Sequence, residues 1–211
     1  MAIESLYWKE GLARIAKSIR PVPKPKRWSE RAVCTVERDV MIGFFIIRRM
    51  IDLNKVSSRV AKLQLKLFSA VVTKHVNKRS WFSVEENHDW NAEKPEHKAA
   101  PYICNQSIHA YLSFVDRGPE RNWSDLLVVS DYDRNNVIWR VPFDTIVSLF
   151  EAASNDWPAS YHMIYDPKLD DYKVTTDWKM PRLRRCSQTR ASCPVALRDG
   201  LSGVFAQGGD R

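Results

Sequence analysis

The residues best placed to do chemistry lie in the run Cys104-Asn-Gln-Ser-Ile-His-Ala-Tyr111. Asn105 and His109 are four residues apart, so on a helix they share a face and can share a hydrogen-bond network. Such a network serves structure as readily as chemistry. The sequence favours the structural role, with His109 hydrogen-bonded inside the core as buried polar side chains are. A catalytic role would rest on Asn105, His109 and Tyr111. No GxSxG nucleophile elbow occurs, and Cys104 stands too near His109 in sequence for the usual Cys–His arrangement.

Three other groupings have chemically capable side chains and a plainer explanation. Glu85, Glu86, His88, Asp89, Glu93, Glu96 and His97 are of metal-ligating types, but their spacing matches no metal motif. They read as a solvated acidic loop. Asp131, Asp133 and Arg134 could hold magnesium at a strand end, yet they fall in Asp131-Tyr-Asp-Arg-Asn-Asn136, where Asp and Asn serve turn geometry. Glu37 and Arg48 are eleven apart and nearly eclipsed on a helix. With Arg38 and Arg49 they read as a solvated stripe. An ion network from that stripe to the third helix would strengthen the case for His109.

The Cys104–Tyr111 stretch resembles the active-site segment of HEPN-type proteins, small helical ribonucleases and their inactive relatives. In that family an Arg, a polar residue and a later His share a helix and act on the scissile RNA phosphate. Asn105, His109 and Tyr111 match the polar residue, the histidine and the trailing aromatic. Cys104 stands where the arginine belongs. A thiol lacks the planar, always-charged fork that grips phosphate. The resemblance implies a metal-independent ribonuclease or its inactive descendant, from a toxin or defence pair. The runs around Glu37–Asp52, His109 and Ser130-Asp131 also resemble small bacterial proteins of no assigned activity.

Charge is unevenly placed. The chain has 211 residues and a net charge of +8. Residues 1–31 carry eight Lys/Arg against three Asp/Glu, and residues 179–211 carry seven against two. The middle is therefore nearly neutral, and basic arms are where phosphate contacts would lie. Arg182, Arg184 and Arg185 are the nucleic-acid-binding candidates. The hydrophobic share of 44% is that of a globular protein. No apolar run approaches the roughly 20 residues that cross a bilayer. No signal peptide is read at the N-terminus. Four cysteines without a CxxC pair suit free thiols in a reducing cytosol.

The elements that must position these groups follow from periodicity. Ser29–Asn54 reads as one long helix, N-capped by Ser29, with Val33, Val36, Val40, Phe44, Ile47 and Ile51 on one side. Glu4–Ile19 reads as a shorter helix, with Lys9, Glu10, Arg14 and Lys17 on its polar face. Pro21-Val-Pro-Lys-Pro25 breaks the chain into an extended linker, so that this helix either folds back or swings free. Lys62–Val72 alternates as a half-buried strand. Lys74–Pro95 reads as a long loop and Pro95–Leu112 as a third helix, opened by Pro95 or, since Pro101 sits inside, beginning only there. Asp125–Ser130 and Val137–Val141 form a hairpin. Asp144 caps a fourth helix, Thr145–Ala153. Tyr161–Tyr165 and Tyr172–Thr176 form a second hairpin.

The expected fold is α+β: long N-terminal helices and a third central helix packed with an antiparallel sheet that a fourth helix interrupts. The expected organisation is an arm and linker at 1–28, a domain at 29–178 and a basic tail at 179–211. The expected function is non-catalytic binding in the cytoplasm. The partner is another copy, a different protein, or nucleic acid through the basic arms. No cofactor, metal or membrane is expected.

Overall fold

The computed structural model describes residues 2–21, 29–118 and 122–177. Its organising element is helix α2 (Glu30–Asp52). The Ser29 hydroxyl accepts the backbone N–H of Ala32 at 3.2 Å and so caps the first turn. Val36, Val40, Phe44, Ile47 and Met50 are buried along one side. Phe44 and Ile47 are covered within a single chain, as the width of the stripe requires.

Helix α1 (Ala2–Ser18) lies back on the body. Leu12, Ala16 and Ile19 are buried, and the Trp123 indole N–H donates to the Ile19 carbonyl at 2.7 Å. Arg20 pairs with Glu151. Of the two positions that the linker allows, the docked one is adopted. Linker residues 22–28 lie outside the described residues.

The main sheet has five antiparallel strands in the order β2-β1-β5-β4-β3. These are β1 (Gln64–Val72), β2 (His88–Ala99), β3 (Ala110–Arg117), β4 (Trp123–Ser130) and β5 (Val137–Pro142). Two one-turn helices, α3 (Ser58–Ala61) and α4 (Val84–Asn87), flank β1 in sequence. Helices α5 (Ala100–Ile108) and α6 (Phe143–Ser154) join α1 and α2 to bury one face of the sheet. On the other face a smaller cluster of Ala70, Leu112, Leu127, Val129 and Ile138 packs with Val84. The chain is α+β. The last two strands, β6 (Ser160–Asp166) and β7 (Asp171–Asp177), form a separate two-stranded sheet rather than continuing the main one.

Two expected elements are corrected. Residues 88–95 are not loop: they begin β2, whose Phe68↔Pro95 pairing sits inside a ladder running from Gln64↔Ala99 to Val72↔His88. Proline is tolerated because β2 is an edge strand, where a missing N–H costs no ladder bond. The third helix starts at Ala100, next to the later of its two expected openings, and ends before Leu112. Its first turn places proline among the opening positions, with Pro101 following Ala100, and His109 is its C-cap. Residues 95–99 belong to β2, and Ala110 onward pairs with β4 from Ala110↔Ser130 to Arg117↔Trp123. At the fourth helix Asp144 lies in the first turn, and Pro142 holds the N-cap position.

Candidate functional site

The sequence candidates around His109 are brought to the junction of α5, β3 and the β4–β5 turn. Asn105 and His109 are both exposed, so His109 is not the buried core histidine expected. Its backbone N–H donates to the Asn105 carbonyl at 3.0 Å, and its carbonyl accepts from the N–H of Asp131 at 3.1 Å. Tyr111 is on strand β3 rather than on the helix, and the Arg134 guanidinium lies 4.9 Å from its ring centroid. Cys104 is buried, and burial pushes its thiol up to about 12, so it stays protonated and unreactive at neutral pH.

The ordered network belongs to a neighbour that the sequence did not single out. Gln106 accepts the Ser130 N–H at 2.8 Å and donates to Asp133 Oδ2 at 2.6 Å. Tyr102 donates to the same oxygen at 3.3 Å. Asp133 thus clamps α5 to the turn as well as shaping the turn. Burial, followed by the Asp133 carboxylate, raises the Tyr102 phenol to about 12. Glu37 accepts the Val115 N–H at 3.1 Å, and Arg48 pairs with Asp52. Neither bonds to His109. The acidic stretch is strand and one-turn helix instead of solvated loop, and His88 is buried with its Nδ1 facing the Val84 carbonyl at 2.8 Å. Burial holds the His88 imidazole below its ordinary value, so it is neutral at pH 7. Among the described residues no group of three His, Cys, Asp or Glu is arranged to hold a metal. No described helix is long and apolar enough to cross a membrane. Arg182, Arg184 and Arg185 lie outside the described residues.

The β6–β7 hairpin exposes a group of large apolar side chains. Tyr161, Met163 and Tyr165 share one face by strand alternation. Opposite them stand Thr176, Val174 and Tyr172. Met163 and the adjacent Ile164 are 64% and 69% exposed, so the sheet stands out from the core instead of covering it. Its base is anchored through β7: the Thr176 N–H donates to Ser58 Oγ at 3.0 Å, and the Thr176 hydroxyl donates to the Val56 carbonyl at 2.9 Å. At the far end Tyr165 donates to Asp170 at 2.7 Å, and Lys173 pairs with Asp166 at 2.5 Å.

This face runs into a cleft of about 430 Å³ whose walls include Leu53, Trp157, Met163 and Val174. Lys9 lines it too. It was expected on the polar face of α1, yet it is 2% exposed. Its ammonium donates to the Asp156 carbonyl and lies 3.8 Å from the Trp157 ring centroid. Desolvation lowers Lys9 to about 8, against the opposing pull of Asp156. The Asp156 carboxylate in turn accepts the Ser57 hydroxyl at 2.8 Å and the Ser57 N–H. Lys9 and Asp156 therefore tie α1 and the α3 approach to the base of the hairpin.

No protein-family model, no curated protein and no solved structure matches this chain.

Proposed function

We propose that this chain is a non-catalytic binding protein whose binding element is the β6–β7 arm, and that the arm pairs with a second copy of the chain. The observation that carries this reading is the outer edge of β6, which is uncharged and, among the described residues, has no strand beside it. A two-stranded sheet has two edges. That of β7 is occupied near its base by Ser58 and bears Asp171, Lys173 and Asp177. From Ser160 to Tyr165, β6 has no Asp, Glu, Lys or Arg and no Pro, the devices that protect natural edges. Antiparallel pairing of two β6 strands sets no like charges against each other over that span. It also joins two apolar faces of Tyr161, Met163 and Tyr165 into one. An isolated two-stranded hairpin is marginal in water, and two more strands remedy that.

Sedimentation equilibrium of the full chain tests the reading. The wild type self-associates, and M163K/I164K sediments as a monomer. Both side chains are exposed, so the variant keeps its circular dichroism and thermal midpoint. A wild-type monomer at its highest soluble concentration, or a variant that associates as the wild type does, overturns the proposal.

A further inference from the structure

We propose that the open face of the five-stranded sheet has a binding site for an organic ammonium group. The site is independent of the β6–β7 arm and lies on other elements. It is a cleft of about 470 Å³, within the few-hundred-Å³ range of small-ligand pockets. Val84 and Leu127 form its floor, and the rings of Phe82, Trp90 and Phe114 stand around it.

Its charge selects the ligand. Arg140 on central strand β5 enters the cleft already neutralised. It binds Glu93 through Nε at 2.6 Å and Nη2 at 2.5 Å, and Asp125 through Nη1 at 3.3 Å. Its face also rests on Phe68, at 4.3 Å from the ring centroid. With two carboxylates on one guanidinium, Arg140 has little left to offer an anion. The other ionisable groups of the lining are Glu85, Glu86 and Asp116, all acidic. Glu86 has an exposed Lys74 at 3.4 Å. Asp116 accepts only the N–H of Arg117 among the described residues, and Glu85 has no ion pair among them. The cleft is therefore net negative.

Aromatic rings decide between kinds of cation. Phe82 is 68% exposed at the mouth, edge-on to Trp81 with centroids 6.2 Å apart. Ring faces beside carboxylates attract ammonium groups that carry an apolar body. A bare metal ion would need converging oxygen ligands, and the described residues hold no such group. Ser83 also lines the cleft.

The test is a calorimetric titration of the full chain with phenethylammonium, with its uncharged counterpart 2-phenylethanol, and with the N-acetylated tripeptide acetyl-Gly-Lys-Gly amide, whose one ammonium is on the side chain, as competitor. Phenethylammonium saturates the wild type in the millimolar range or tighter, and the alcohol does not. E85Q/D116N weakens the amine by about tenfold, and F82A weakens it as well. All three side chains are exposed, so these variants fold. Competition by the tripeptide assigns the ammonium to a lysine side chain. Saturation without competition assigns it to a free amine. Absence of saturation, equal binding of the alcohol, or unchanged affinity in E85Q/D116N overturns the proposal.

Discussion

The ring of Phe150 fills the space where a side chain at position 43 would begin: a Cβ built on Gly43 would lie 2.1 Å from Phe150 Cε2. Contact between α2 and α6 is that close because α2 has no side chain at this point. The same ring stands edge-on to Phe44, with centroids 5.4 Å apart at 85°. In an exposed helix, Gly→Ala gains about 1 kcal/mol of propensity. Here the gain is opposed by overpacking, which costs about 1–3 kcal/mol when ring and backbone must shift. Gly43→Ala is expected to destabilise the fold by urea titration, and Phe150→Leu to suppress that loss in a double-mutant cycle. A Gly43→Ala variant more stable than wild type would mean that the helices separate freely.

Gln106 and His109 lie three residues apart on one short helix and differ in consequence. Gln106 satisfies a buried N–H at Ser130 and bridges to Asp133. Gln106→Leu leaves the Ser130 N–H without its acceptor and Asp133 Oδ2 with Tyr102 alone, and costs about 1–3 kcal/mol. His109 is exposed, and only its backbone is bonded. His109→Ala changes stability by less than about 0.5 kcal/mol. Thermal melts of the two variants side by side check the contrast. A large loss from His109→Ala would restore a structural role for the imidazole.

Lys9 makes stability depend on pH in the alkaline range. Its ammonium titrates at about 8 in the folded chain and at 10.5 in the unfolded one. Below 8 both states are protonated, and the folded state bears the desolvation cost in full. Between 8 and 10.5 the folded state has released a proton that the unfolded state keeps, so this group adds stability as pH rises. Lys9→Met removes that slope. The stability of wild type relative to Lys9→Met is expected to increase across the window, read as the difference in thermal midpoints. A difference that stays flat would place the Lys9 ammonium in water.

The sequence by itself determined the elements whose signals are local. The α2 stripe has a 3.6-residue period over more than five turns' worth of chain, and Ser29 caps it as its type predicts. The Asp/Asn-rich turn after Ser130, the α6 helix and the last hairpin were legible for the same reason: neighbours in sequence make the contacts that define them. Strand β2 was not. Pro95 looks like a helix opener until β1 lies beside it on one side and, among the described residues, no strand on the other. Strand β3 was hidden likewise, because Tyr111 and Leu112 continue a helical pattern that β4 overrides.

Sites were less legible than elements, because a site is a statement about what lies beside a residue. Only the tertiary structure exposed Asn105 and His109, buried Lys9 against Trp157 and surrounded Arg140 with Glu93 and Asp125. Those partners lie at least 15 residues apart along the chain, and periodicity has no information about them. The alternation in β6 gives a strand in either case. Whether a core covers its apolar side depends on where the rest of the chain goes, and in this fold the other helices pack on the five-stranded sheet instead.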